Sequence, residues 1–138
     1  AHGLSPRILS EQGLGPALEE LTAGLPVETE VSWAGRTGAG APSLSDGAAE
    51  DLYLIASEAI TNAMKHSECS RIEVDVAPRD GVVQLTVRDD GAGGAAPTGR
   101  GILSMAARAR RLGGTFELVS PDGGPTTVMV RIPSGGPR

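Results

Sequence analysis

Leu52, Ile55, Ala56, Ala59, Ile60, Ala63 and Met64 recur at helical spacing, so residues 46–67 are expected to form a long helix with one apolar stripe. Ser45 is placed to cap it, and Asp46 and Glu50 favour its N-terminal end. Two alternating segments follow at once. Ile72, Val74 and Val76 mark a strand over 71–77, and Val83, Leu85 and Val87 mark the next. Pro78-Arg79-Asp80-Gly81 reads as the hairpin turn between them. A one-sided helix beside half-buried strands packs as two layers.

The flanking segments extend this scheme. Leu14, Leu18 and Leu21 predict a short amphipathic helix over 10–23, stopped by Gly24 and Pro26. Val27 to Trp33 alternates and reads as a strand, and residues 34–45 read as a loop. A helix is expected over 102–112, ending at Gly113-Gly114. Two closing strands, 115–119 and 126–132, flank a turn at Pro121-Asp122-Gly123-Gly124-Pro125. The expected fold class is α/β (α+β). It is a two-layer sandwich in which a mixed, mostly antiparallel five-stranded sheet carries about three helices on one face.

At 138 residues the chain is expected to be one domain with room for a hydrophobic core. Its 20 glycines and 10 prolines cluster between patterned segments, which points to a folded domain rather than a disordered chain. Twelve Lys and Arg against 17 Asp and Glu leave a net charge of −5, which argues against a nucleic-acid partner. The single cysteine, Cys69, makes no intrachain disulfide or Cys-based zinc site and fits a reducing compartment. No apolar run is long enough to span a membrane, and no signal peptide is visible. The domain is therefore expected in the cytoplasm. The chain starts at Ala1, not Met, and reads as part of a longer protein, which leaves a membrane-anchored parent open.

Three segments can carry chemistry. Glu58, Asn62 and His66 fall in one polar row on the long helix, beside its apolar stripe. Such a row is either a solvated face or a ligand-facing one, where a carboxylate orders water and an amide oxygen ligates a hard cation. Asp89 ends a strand that breaks into Asp90-Gly91-Ala92-Gly93-Gly94. This is either an ordinary Asp-Gly turn or a place where backbone approaches a ligand and a carboxylate accepts from an exocyclic amine. Gly99-Arg100-Gly101-Ile102 opens the last helix, where free N–H groups and the helix dipole favour an anion. The segment lacks the Gly-Lys-Ser/Thr of a Walker loop and the third glycine of a dinucleotide fingerprint.

Together these segments resemble the ATP-binding catalytic (HATPase) domain of sensor histidine kinases, in the GHKL superfamily with gyrase, the heat-shock chaperone ATPases and the mismatch-repair ATPases. Glu58-Ala-Ile-Thr-Asn62-Ala-Met-Lys65-His66 resembles the N box, Asp89-Asp-Gly91-Ala-Gly93 the G1 box and Gly99-Arg-Gly101-Ile102 the G2 box. Met105-Ala-Ala-Arg108 through Leu112-Gly113-Gly114 resembles the short-lid subfamily typified by nitrate/nitrite sensors. Gly124-Pro125-Thr126-Thr127-Val128 resembles the closing Gly-Thr-x-Val strand, with Pro125 inserted. The likeness runs from about residue 4 to 133, and the order and spacing of the boxes make it specific.

The resemblance implies that Asn62 coordinates Mg²⁺ on the ATP phosphates and that Glu58 orients water or the Mg²⁺ shell. It implies that Asp89 accepts from the adenine amino group, while Gly91 and Gly93 let the base approach. Gly99, Arg100, Gly101 and Ile102 would face the phosphates, with Lys65 and His66 near them. Thr126 would support the adenine side, with Thr127 as the alternative if Pro125 shifts the register. The lid, Gly94-Ala-Ala-Pro-Thr98, is very short, and Gly94 stands where the family often has Phe. His2 and His66 are both rejected as phosphoacceptors, so this chain is not expected to phosphorylate itself.

By the same resemblance, residues 1–9 are a lead-in from a dimerisation and phosphoacceptor domain, 10–133 the ATP-binding domain and 134–138 a disordered tail. The partners implied are ATP, the dimerisation helices of the same protein and a response regulator. Homodimerisation would run only through those helices. Two alternatives are an anti-sigma-factor serine kinase and a non-catalytic nucleotide-sensing module.

Overall fold

The computed structural model describes residues 7–33, 44–66, 68–95 and 99–133, with only the backbone at residue 66. In chain order the elements are α1 (Arg7–Gln12), α2 (Leu14–Ala23), β1 (Glu28–Trp33), α3 (Asp46–His66), β2 (Arg71–Arg79), β3 (Val82–Asp89), α4 (Arg100–Arg111), β4 (Thr115–Val119) and β5 (Thr126–Pro133). The strands form one five-stranded sheet in the order β1-β2-β3-β5-β4. β1 runs parallel to β2 and every other neighbouring pair is antiparallel. This is the mixed two-layer sandwich expected from the sequence.

Register sorts the side chains into two faces. Val31, Val74, Val87 and Val128 lie in line across the sheet, and Val76, Leu85 and Val130 form the next row. All seven are buried, because the apolar stripe of α3 covers them: Leu52, Ile55, Ala56, Ala59, Ile60 and Ala63 are buried too. Burying this much apolar surface is the main favourable term in folding. The opposite face is polar. There Arg71 pairs with Glu28 at 3.2 Å, with Glu73 at 3.0 Å and with Glu30.

Local signals explain the element ends. Ser45 Oγ accepts the Ala48 N–H at 3.1 Å, the cap expected for α3. The hairpin turn is tighter than expected. Pro78 and Arg79 remain in β2, and Asp80 and Gly81 turn with φ of 49° and 82°. Positive φ at both central residues is the turn that matches strand twist. α4 ends as Gly114 N–H reaches Ala109 O and Gly113 N–H reaches Arg110 O, with Gly113 at φ 77°.

The N-terminal part differs from expectation. One helix over 10–23 is instead two, broken at Gly13 with φ 97°. Arg7 to Leu9, within the expected lead-in, are helical, and Leu9 is buried in the core. The break turns α1 so that Leu9 and Leu14 are both buried, which a straight helix would not achieve. Residues 1–6 and the expected tail 134–138 lie outside the described residues. Trp33 lies over Gly15, where a Cβ would overlap the ring, and its Nε1–H donates to Glu19 Oε2 at 2.9 Å. Among the described residues no helix is long and apolar enough to cross a membrane.

Candidate functional site

A cavity of about 770 Å³ opens where α3, the ends of β3 and β5, and the start of α4 converge. The i, i+4 spacing puts Glu58 and Asn62 on one face of α3, both half-buried, at the border between the apolar stripe and solvent. Both line the cavity, as do Ala59, Ala63 and the exposed Lys65. The side chain of His66 lies outside the described residues.

Asp89 closes the helix-facing row of β3. It is 5 % exposed, lines the cavity and pairs in register with Thr126 on β5. Its Oδ1 accepts the Gly91 N–H at 2.9 Å, which fixes one oxygen of the carboxylate. Gly91 itself is not part of the lining; it acts on Asp89. Thr126 lines the cavity, whereas Thr127 pairs with Arg88 on the other face. The inserted Pro125 therefore leaves Thr126 in the row of Asp89.

The loop after Asp89 is fastened to the β4–β5 turn. Gly94 N–H donates to Ser120 O at 3.0 Å, and Gly123 N–H donates to Ala92 O at 2.7 Å. A Cβ on Gly93 would overlap the Pro121 carbonyl oxygen, and one on Gly124 that of Gly91. Gly94 has φ 77°, where a larger residue would be strained. Backbone therefore forms the cavity wall at Gly93 and Gly94. Residues 96–98 of the short lid lie outside the described residues.

Gly99, Arg100, Gly101, Ile102 and Ser104 contribute the start of α4. Gly99 precedes the helix and supplies no side-chain cap, and the first turn holds no acidic residue. First-turn N–H groups without intrahelical partners favour an anion. Gly101 packs against Glu58 and Asn62; a Cβ there would overlap Glu58 Oε2. Deeper in the cavity, Ala59, Ala63, Ile102 and Val128 make an apolar floor suited to a flat ring.

Among the described residues no cluster of three His, Cys, Asp or Glu side chains could hold an ion alone. Glu58 and Asn62 supply one carboxylate and one amide. That pair fits a hard cation such as Mg²⁺, which keeps several waters and shares the phosphate oxygens of its ligand.

Two supports escaped the sequence. Asp90 Oδ1 accepts the N–H groups of Ser70 and Arg71 at 2.8 and 3.0 Å, and Oδ2 bonds Ser70 Oγ at 2.7 Å. The Ser70 hydroxyl and these two N–H groups hold the Asp90 carboxyl below its ordinary range. The bonds tie the end of β3 to the α3–β2 connection. Arg108 and Arg111 both reach Asp51 on α3, at 3.1 and 3.3 Å. The Asp-Asp-Gly run could have flagged Asp90; no local signal marks Asp51.

Comparison with known proteins gives a consistent result. The family model described as histidine kinase-, DNA gyrase B- and HSP90-like ATPase matches residues 47–136. The nitrate/nitrite sensor protein NarX of Escherichia coli K12 is 38 % identical over 132 residues, covering 88 % of this chain and 21 % of the relative. Sensor histidine kinase LiaS of Bacillus subtilis is 29 % identical over 127 residues, covering 89 % of this chain and 34 % of the relative. The chain thus spans about a fifth to a third of these relatives' length. Among solved structures, the ATP binding domain of PrrB from Mycobacterium tuberculosis superposes with a TM-score of 0.66 at 22 % identity, covering 89 % of this chain and 92 % of that one. The histidine kinase domain of the Erythrobacter litoralis EL346 blue-light activated kinase gives 0.70 at 20 % identity, covering 88 % and 59 %. These two likenesses concern the fold.

Proposed function

Because the chain belongs to the histidine kinase-, DNA gyrase B- and HSP90-like ATPase family, we propose that it binds ATP with Mg²⁺ as the catalytic domain of a sensor histidine kinase. The observation that carries this reading is the convergence of Glu58, Asn62, Asp89 and the uncapped start of α4 on one cavity. An apolar floor takes the base. The Asp89 carboxylate, fixed through Gly91, accepts from the adenine amino group, with Thr126 beside it. Gly93 keeps that wall thin. The N–H groups of Arg100, Gly101 and Ile102 and the charges of Arg100 and Lys65 receive the phosphates. His66 belongs to the same row.

Asn62 would hold Mg²⁺ and Glu58 would order its water shell. When bound, the ion neutralises phosphate charge in the transferring group. In the longer protein, a histidine on separate dimerisation helices takes the γ-phosphoryl group. The bond from γ-phosphorus to the bridging oxygen breaks, a P–N bond forms and ADP leaves. The phosphoryl group then passes to an aspartate of a response regulator, and the dimerisation helices make the homodimer.

Calorimetric titration of ATP, with and without Mg²⁺ and with GTP as control, tests the reading. Adenine-selective, Mg²⁺-sensitive binding is expected. Equal affinity for GTP, or no uptake of ATP, overturns it. Phosphotransfer to dimerisation helices supplied separately then tests the kinase step.

A further inference from the structure

Ser120 sits at the end of β4, outside every motif in the sequence, yet its hydroxyl is the junction of three segments. Ser120 Oγ accepts the Ala95 N–H at 2.9 Å and lies 2.7 Å from Thr126 Oγ1. Its carbonyl accepts the Gly94 N–H at 3.0 Å. Ala95, Gly94 and Thr126 all line the cavity, and Ser120 does not. Ser120 therefore acts on the site only through other residues.

We propose that Ser120 is a positioning residue for base recognition: by donating to Thr126, it directs the Thr126 hydroxyl proton into the cavity beside Asp89. This rests on the adenine-nucleotide reading above. A hydroxyl has one proton to give and two lone pairs to accept with. Ser120 Oγ already accepts from Ala95 and spends its one proton on Thr126. Thr126 Oγ1 then accepts from Ser120 and keeps its own proton for the cavity. In the reverse arrangement the Ser120 proton would need another acceptor, and Thr126 would present lone pairs only.

The consequence is a directional pair at the end of the sheet. Asp89 accepts and Thr126 donates, side by side in register. Adenine offers the matching edge, a 6-amino donor next to the N1 acceptor. Hypoxanthine offers the inverse, an O6 acceptor next to an N1–H donor. Without Ser120 the Thr126 hydroxyl turns freely, and discrimination between the two bases falls.

The test compares ATP and ITP binding to the full chain and to Ser120→Ala and Ser120→Thr, with thermal melting of each. Wild type is expected to prefer ATP. Ser120→Ala is expected to shrink that preference by about five- to tenfold, the value of roughly one neutral hydrogen bond. Ser120→Thr, which keeps the hydroxyl, is expected to restore it. An unchanged ATP-to-ITP ratio in Ser120→Ala overturns the proposal, whether or not the variant melts earlier. Equal loss of both nucleotides with no change in ratio is the mark of a purely structural role, and also overturns it. Failure of the wild type to take up ATP is seen before any variant is compared, and removes the underlying site reading instead.

Discussion

Gly101 lies so close to Glu58 that a Cβ on the glycine would overlap the carboxylate, and it would press on the Asn62 amide nitrogen at 3.2 Å. The start of α4 and the polar row of α3 are thus built as one surface. Gly101→Ala has two opposed effects on stability. Helix propensity gains up to about 1 kcal/mol, and overpacking costs about 1–3 kcal/mol. The overlapped atom ends a flexible side chain, so Glu58 swings away at the lower end of that cost. The melting temperature is expected to change little, while ATP affinity falls at least about tenfold because Glu58 and Asn62 are displaced. Titration and melting of the same variant check both halves.

Asp89→Asn keeps an oxygen for the Gly91 N–H only by turning its NH2 group, a donor, to where the proposed adenine amino group would sit. A loss of about 1–3 kcal/mol in ATP affinity is expected, since a buried group loses its partner. Asn62→Asp adds a second carboxylate beside Glu58. That changes the charge around the expected Mg²⁺ site, and its binding of Mg·ATP is expected to be weaker than that of the wild type by about 1–3 kcal/mol. Titration in Mg²⁺ and in chelator separates the two variants, and wild-type behaviour in both removes the site assignment.

The Asp90 carboxyl is held below its ordinary range by Ser70 and the Arg71 N–H. A depressed folded pKa stabilises the fold above the unfolded value, about 3.9, and that stability is lost as pH falls through the folded one. The stability gap between wild type and Asp90→Asn is therefore expected to be constant above about pH 5 and to close as the medium becomes more acid. Denaturant titrations from pH 7 to 3 measure it. A gap that widens on acidification would contradict the assignment.

Trp33 covers Gly15, and its register partner Val76 lies four residues along β2 from Ile72, the partner of Asp89. Gly15→Ala forces the indole off the helix and breaks its bond to Glu19. A cost of about 1–3 kcal/mol and red-shifted Trp emission are expected. ATP affinity is expected to stay unchanged, because neither Gly15 nor Trp33 lines the cavity.

Much of this arrangement is legible in the sequence. The stripe on α3 and the alternation in β2 and β3 are repeated signals, so several residues must be misread together to lose the element. The break at Gly13 is the contrary case. One glycine inside a helical pattern is usually tolerated, and only the burial of Leu9 on one side and Leu14 on the other required a turn there. No residue spacing pairs Arg108 and Arg111 with Asp51. Their bonds cross between helices separated by two strands in the chain.

Periodicity and residue type, read alone, determined most of the elements and the two-layer class, and marked Glu58, Asn62, Asp89 and the start of α4 as places that can carry chemistry. These are local properties, set within a few positions of each residue. Tertiary structure alone decided that Thr126 and not Thr127 stands beside Asp89, that Gly101 meets Glu58, and that Ser120 joins the two walls of the cavity. Strand register and helix approach are fixed by packing between segments far apart in the chain, and a one-residue slip in β5 would exchange Thr126 for Thr127 without altering any local signal.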